Sequence, residues 1–431
     1  MPPISRRNLL KTGVTTGALT CAATALPSLG ASGPREFPQL PPALDQLKPI
    51  RDRIRPVTAE EFQGRIQHAQ RLMAEAKPAL AALYITPGSS LYYFTGIRWG
   101  LSERLLALTI PRTGEPMLVC PAFEEGRLRE LLRWPIEIRA WQEDENPATL
   151  VASWLTERGV RTGRIGIEET TKYTFFDALR RAAPAPEYAS GDPVTIGCRG
   201  RKSPHELELM QLACEATVDV YRAVFASLRE GMSQGDIGGL VSHGFERVGL
   251  RGSALVLFGQ WAALPHGTTQ PQQLKEGEIV LIDGGTSVEG YASDVTRCCV
   301  LGEPSSKLQR AFDTVRKAQE AALAAAASGK LSGSVDDAAR AVITGAGYGT
   351  GYRLFTHRVG HGIGLDGHEH PYLVRGSKTV LAPGMTFSNE PGIYVRGEYG
   401  LRLEDDMVIQ PDGPARLLTP GLSPSLEKPA G

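Results

Sequence analysis

A chain of 431 residues exceeds the roughly 250–300 residues that one hydrophobic core can organise, so two domains are expected. The composition, 42% apolar and 22% charged, is that of an ordinary globular protein. Lys plus Arg and Asp plus Glu balance at 47 each, which removes any global electrostatic case for nucleic acid or an anionic membrane; whatever the chain binds, it binds through a local site.

The first thirty residues stand apart from the fold. Ser5-Arg6-Arg7-Asn8-Leu9-Leu10-Lys11 carries a twin arginine, followed by a Thr-, Gly- and Ala-rich run over residues 12–26 and small residues around Ala25 and Ala31. A basic head, a short apolar run and small residues near a cut site describe an export signal. The Arg pair ahead of a weakly apolar stretch resembles the twin-arginine type. Residues 1–31 are therefore read as a signal that engages the twin-arginine export machinery and sends the protein to the periplasm or otherwise out of the cytoplasm. A membrane anchor would need ~20 strongly apolar residues, so no stable membrane insertion is expected. Thr20 before Cys21 makes a poor lipidation box. Once Cys21 has left with the signal, Cys120, Cys198, Cys214, Cys298 and Cys299 remain. Their wide spacing fits neither a disulfide framework nor a Cys-x-x-Cys zinc site, and they read as buried free thiols.

Residues 32–57 are rich in proline (Pro34, Pro38, Pro41, Pro42, Pro49, Pro56) and read as an extended arm. A helix over 59–77 follows, with Thr58 as its N-cap. Residues 80–85 read as a strand, and the apolar run 91–96 comes next. Two strands, 105–110 and 116–120, form a hairpin around Arg112-Thr113-Gly114. Helical stretches at 124–132, 148–158 and 174–182 flank a strand at 164–168. This is a mixed α/β unit that ends near Pro193.

The second domain opens at Ser203-Pro204-His205-Glu206, a capping box with proline at the first helical position. Leu207, Met210, Cys214, Thr217, Tyr221, Val224 and Leu228 then recur at helical spacing. A weak repeat follows. Gly231-Met232-Ser233 with Asp236-Ile237 leads into a helix ending at Gly249. Gly329-Lys330-Leu331-Ser332 with Val335-Asp336 leads into one ending at Gly347. Two helix–helix–strand halves suggest a pseudo-symmetric α+β domain with a site between them. Two motifs are decoys. Gly231-Met232-Ser233-Gln234-Gly235 fits a serine-nucleophile elbow, but a helix precedes it where that elbow needs a strand, so Ser233 is an N-cap. Residues 362–367 fit a dinucleotide fingerprint, yet Pro371 follows where a helix should open.

Three segments concentrate ligand-type residues. Apolar Ile279–Ile282 ends in Asp283 and is followed by Asp294-Val295-Thr296-Arg297. Four of the eight histidines fall within residues 357–370, as His357, His361, His368 and His370. Asn389-Glu390-Pro391 precedes Tyr394, then Arg402-Leu403-Glu404-Asp405. Acids inside apolar strands are costly unless they are paired or bound to metal. Asp283, Asp294, Glu390 and Glu404 bring four negative charges and His361 a neutral imidazole, a balance suited to two divalent cations. So oxygen-rich a set favours hard ions, manganese first, with cobalt, iron or zinc as alternatives.

These segments resemble those of the pita-bread metallopeptidases, the superfamily of methionine aminopeptidase, aminopeptidase P and prolidase. The branch is the aminopeptidase P/prolidase one. The family's ligand order Asp, Asp, His, Glu, Glu falls on Asp283, Asp294, His361, Glu390 and Glu404, with the Asp pair eleven positions apart and the Glu pair fourteen. The resemblance implies an α+β protein: a pita-bread catalytic domain (198–425) after a smaller α/β creatinase-like N-terminal domain (58–195). It also implies that Asp294 and Glu404 bridge two ions, that Asp283 completes one site, and that His361 with Glu390 completes the other. His266, seventeen residues before Asp283, matches a substrate-side histidine. His357 and His368 match two further active-site histidines, and Tyr394 with Arg402 a proton-relay pair. Cys298-Cys299 departs from the pattern, where a Thr and an aromatic are commoner. The implied activity is hydrolysis of an Xaa-Pro bond in dipeptides or at the N-terminus of peptides, by a homodimer or larger homo-oligomer. The alternatives are a creatinase-like hydrolase or lyase of small molecules, or an exported peptide-binding protein without turnover. Creatinase lacks the ligands that this chain keeps.

Overall fold

The computed structural model describes residues 40–431, so the expected export signal lies outside it. The described part of the expected arm is not extended. It folds into a short helix, α1 (Pro42–Asp45), and a 3-10 turn at Arg51–Arg53. Leu44 is buried in the cluster of Val220, Tyr221 and Phe245, and the Ile50 N–H donates to Val248 O at 3.0 Å. Proline favours extended chain, but leucine and isoleucine with an apolar surface in reach fold down onto it.

Thr58 caps α2 (Ala59–Glu75), and Glu61 closes a capping box. The α/β unit continues as β1 (Ala82–Ile85), α3 (Ser89–Thr95), β2 (Ala107–Pro111), β3 (Met117–Pro121), α4 (Glu125–Leu131), β4 (Glu137–Trp141), α5 (Pro147–Glu157), β5 (Arg164–Ile167), α6 (Tyr173–Ala182), β6 (Glu187–Ser190) and α7 (Asp192–Arg199). The apolar run at 91–96 is the body of α3, ended by Gly96 at φ 76°. Six strands form one mixed sheet in the order β4-β3-β2-β1-β5-β6. Both faces of the central strand are buried. Leu83 and Ile85 pack with Phe62, Ile66 and Met73 of α2, while Ala82 and Tyr84 pack with Trp154, Leu155 and Leu179 of α5 and α6. Continuous apolar strands are what a sheet covered on both sides requires.

The second part opens with α8 (Pro204–Phe225), α9 (Gln234–Arg247), β7 (Gly252–Phe258), β8 (Ile279–Val288), β9 (Tyr291–Ala292) and β10 (Val295–Val300). Its second half has α10 (Ser306–Ala325), α11 (Ser332–Gly345), β11 (Gly360–Gly362), β12 (Glu369–Leu373), β13 (Thr386–Asn389), β14 (Gly392–Val395), β15 (Tyr399–Arg402), β16 (Asp405–Val408) and β17 (Arg416–Leu417). Each half is a helix pair followed by an antiparallel sheet, ordered β10-β8-β7 in the first and β12-β11-β13-β16-β17 in the second. An isolated bridge between Thr296 and Glu404 joins the two sheets. Strand β8 serves both cores: Val280 and Ile282 pack in the α8/α9 cluster, Ile279 and Leu281 in the α10/α11 cluster. Where that doubly buried strand passes the junction, Asp283 emerges.

Ser233 accepts from the Asp236 N–H at 3.1 Å as the N-cap of α9, and no helix opens after Gly367. Both decoy readings are borne out. The five described cysteines are buried and free. No helix of the described residues is long and apolar enough to cross a membrane. One apolar cluster runs from α2 and the six-stranded sheet into Met210 and Ala213 of α8, Val288 and Ile363. Within it Glu206 accepts from Arg65 at 2.8 Å and from the Tyr291 hydroxyl at 2.5 Å.

Candidate metal centre

The residues singled out from sequence converge on the junction of the two sheets. Asp283 on β8 stands opposite Thr296 on β10, and Thr296 bridges to Glu404. The Glu404 N–H donates to Thr296 O at 3.1 Å. Asp294 precedes β10, its N–H donating to Asp406 Oδ2 at 2.9 Å. His361 lies on β11, and Glu390 follows β13 with its N–H on Val359 O at 2.8 Å. Gly360 makes this approach possible, because a Cβ there would fall 2.0 Å from Ser388 O. Side-chain donor atoms gather in three overlapping groups, each within 4.8 Å: Asp283, Asp294 and Glu404; His361, Glu390 and Glu404; and Asp294, His361 and His368.

His361 Nδ1 lies 3.1 Å from Gly362 O, which makes Nε2 the lone-pair nitrogen. Nε2 is 3.3 Å from Glu390 Oε1 and 3.8 Å from Asp294 Oδ2. Burial, then the neighbouring His368, pushes this imidazole down to about 4, so it is neutral and ready to act as a ligand.

The electrostatics fit divalent cations. Among the described residues, Arg402 is the cation paired with these carboxylates, through Asp283 and, at 3.9 Å, Glu404. Burial works to raise Asp283, but Arg402 and Thr296 outweigh it and hold the carboxyl below its usual range. Burial and then the surrounding acids push Asp294 and Glu404 well above theirs, and Glu390 rises to about 7. Thr296 Oγ1 lies 2.6 Å from both Asp283 Oδ1 and Glu404 Oε2. One hydroxyl proton serves one carboxylate at a time. Carboxylates packed this closely must either hold protons or share cations. Four carboxylates with one imidazole make a donor set for hard divalent ions.

A second network borders the cluster. Tyr394 Oη lies 2.7 Å from His357 Nε2 and 3.0 Å from Arg402 Nη1. His357 is pushed down to about 3 by burial and then by Arg402, so it stays neutral. His368 stacks on His361, with centroids 3.6 Å apart, and is held below its usual range by burial and then by the charge of Arg358. His266 is exposed in a turn and makes no hydrogen bond among the described residues, but it lies near enough to influence His357 and His368, and Arg402 Nη1 tethers that turn at Pro265 O, 3.4 Å away. Cys298 places its thiol 3.2 Å from Arg402 O, behind the arginine.

Several supporting residues were not assigned roles from sequence. Arg297 pairs with Asp405 at 2.5 Å and donates to Glu404 O at 2.7 Å. Gln319 donates to Asp405 at 2.9 Å and to Asn389 O at 3.1 Å. Asp406 also accepts from the Cys214 thiol at 3.2 Å. On α11, Asp336 accepts from Val359 N at 2.8 Å and from Arg340, which also donates to the carbonyls of Gly351, Phe355 and His357. The signal for these residues was present in part, since Arg297 and Asp405–Asp406 are charges inside otherwise apolar strands.

The chain is similar to known proteins over most of its length. The model of metallopeptidase family M24 matches residues 208–411, and that of the creatinase/prolidase N-terminal domain matches residues 65–200. The Xaa-Pro dipeptidase of Lactobacillus helveticus is 33% identical over 77% of this chain and 90% of its own. The structure of dipeptidase PepE from Mycobacterium ulcerans superposes with a TM-score of 0.77 at 31% identity, covering 85% of this chain and 98% of that one. A recombinant prolidase from Thermococcus sibiricus gives 0.75 at 30% identity, covering 83% and 96%.

Proposed function

The chain belongs to metallopeptidase family M24 and is a peptidase, and from that premise we propose that it is a dinuclear-metal dipeptidase that hydrolyses the Xaa-Pro bond. The observation that carries the reading is the overlap of the ligand groups. Glu404, Asp294 and His361 each belong to two of them, and of the three only the carboxylates have two oxygens to divide between two cation positions. Asp283 would complete one position, and His361 with Glu390 the other. Bound there, two divalent ions, manganese first among them, would supply the positive charge that polarises a water and the scissile carbonyl.

The chain's own residues do the rest. Glu390, 3.3 Å from His361 Nε2, would take a proton from water and pass it to the departing proline nitrogen. His368 and His266 hydrogen-bond the substrate carbonyl as negative charge develops on its oxygen. Tyr394, held between His357 and Arg402, keeps a proton at the edge of the cluster. Proline is selected by fit, because its imide lacks an N–H and its ring fixes φ. Relatives named Xaa-Pro dipeptidase and prolidase support the same substrate. The twin arginine of residues 5–11 supports export by the twin-arginine route to the periplasm, where the enzyme would act as a homo-oligomer.

Metal content per chain, together with hydrolysis of Xaa-Pro dipeptides, other dipeptides and Xaa-Pro tripeptides in manganese and in cobalt, tests the reading. Two ions per chain and a preference for Xaa-Pro dipeptides are expected. Hydrolysis of other dipeptides at equal rates would remove the proline specificity, and a metal-free active enzyme would remove the mechanism.

A further inference from the structure

His368 has to meet a substrate carbonyl with a ring nitrogen, yet its own side chain is poorly held. It is exposed in the loop between β11 and β12, stacks on the His361 ring, and makes no hydrogen bond among the described residues. On one side the loop borders a cavity of about 260 Å³, lined by Glu168, Asp192, Arg199, Asp366, His368 and His370, so packing does not confine it there. Charges on either side of the histidine hold the loop instead. Asp366 precedes it by two residues and Glu369 follows it. Arg199 Nη2 lies 2.5 Å from Asp366 Oδ2 and 2.6 Å from Glu369 Oε2, while Lys202 Nζ takes the other Glu369 oxygen at 2.5 Å. Asp366 also accepts from the Ser89 hydroxyl, and Arg199 Nη1 donates to Ser90 Oγ at 3.2 Å. The clamp lies directly against the loop backbone, since a Cβ on Gly364 would fall 2.6 Å from Glu369 Oε1 and 2.7 Å from Lys202 Cε. Ser89 and Ser90 open α3 and Arg199 ends α7, so the fastening comes from the α/β unit and not from the half that carries the histidine.

We propose that Arg199 is a positioning residue: by bridging Asp366 and Glu369 it holds His368 where it meets the substrate, and so makes turnover depend on the α/β unit. This rests on the role given to His368 above. Buried ion pairs add little net stability over apolar packing, but a carboxylate with a separate cation on each oxygen keeps one orientation. Asp366 and Glu369 straddle His368, so fixing both fixes the backbone between them. A misplacement of about 1 Å at a catalytic group costs on the order of 10²-fold in rate, which is what the clamp prevents.

The test combines steady-state kinetics on an Xaa-Pro dipeptide, at equal metal content, with amide hydrogen exchange over residues 363–370. It compares the wild type with Arg199→Ala, Arg199→Lys, Asp366→Asn, His368→Ala and the double variant Arg199→Ala/His368→Ala. Arg199→Ala should lower kcat about tenfold to a hundredfold with KM changed less than about threefold. Exchange should quicken in the loop while the rest of the chain keeps its protection. Arg199→Lys should recover part of the kcat, since an ammonium lacks the guanidinium's fork. Asp366→Asn, isosteric and 43% exposed at its side chain, should show the same loss in milder form and stay folded even where Arg199→Ala does not. In the His368→Ala background the Arg199 change should cost less than about twofold, because nothing remains to position. An equal loss of kcat in both backgrounds, or unchanged loop exchange in Arg199→Ala, would overturn the proposal and leave the dipeptidase reading standing. Wild-type turnover by His368→Ala would instead remove the histidine's role, and the positioning with it.

Discussion

Asp294 and Glu404 are the carboxylates shared between donor groups; His361 is shared too, but it offers one free nitrogen where each carboxylate offers two oxygens. Each sits in two donor groups, and burial plus neighbouring acids push both far above the usual carboxylate range. Replacing either by Ala should remove both ions and abolish turnover together, because the remaining acids would repel one another around an incomplete set. Metal analysis after purification checks this, and two ions retained in either variant would end the bridging assignment. His368 poses a sharper question than sequence allowed, since its ring stacks on His361 and its nitrogen reaches the Asp294 group. As a donor to the developing oxyanion, His368→Ala should keep both metals and lose activity on the order of 10²-fold or more. Loss of metal instead would make it a ligand.

At the scale of elements, α11 holds the segment that carries His357 and leads into β11. Asp336 and Arg340, four residues apart on the helix, form a buried ion pair, and between them they bond the backbone at Gly351, Phe355, His357 and Val359. Removing one member leaves a buried charge without its partner, which costs about 3–5 kcal/mol. Asp336→Ala should therefore lower the denaturant midpoint markedly while the circular dichroism of the folded state stays native-like. A shift smaller than about 1 kcal/mol would show that solvent reaches Arg340 and the pair is weak. The helix pattern of residues 332–345 was readable in sequence, but this use of it was not. An Asp and an Arg four apart look like any surface i, i+4 pair until the fold places a loop above them.

At the scale of the molecule, the candidate ligands come from both halves, Asp283 and Asp294 from the first and His361, Glu390 and Glu404 from the second. Ions bound only by the folded chain stabilise it by mass action, about 2.7 kcal/mol at a hundredfold excess over Kd. Chelation should accordingly lower the melting temperature by several degrees, and added manganese should restore it; an unchanged melting curve would mean that the halves hold without metal. The same coupling bears on export. A site assembled from residues 283 to 404 exists only after folding, so a route that carries folded protein lets the ions load beforehand. Replacing Arg6 and Arg7 by Lys should block export while leaving active enzyme in the cytoplasm. Undiminished periplasmic enzyme in that variant would refute the twin-arginine reading.

Much of the chemistry was written locally and could be read without a fold. Charged residues stood in apolar strands at Asp283 and Glu404, histidines crowded into residues 357–370, and the capping box at Ser203 marked where α8 begins. Such signals survive in sequence because the penalty they answer, a buried charge or an unpaired helix end, is incurred within a few residues. The edge strand β4 was also legible, in the alternation of Ile136, Ile138 and Ala140. What the tertiary structure alone decided is partnership across long separations. It chose Asp283 rather than Glu390 as the ion-pair partner of Arg402, folded residues 40–57 onto α8 and α9 despite their prolines, set His368 on His361, and laid Arg358 over the Tyr372 ring. Strand register and core packing fix those choices, and neither is a property of any one segment, so composition and spacing could name the residues of this site but not the neighbours that set their charge.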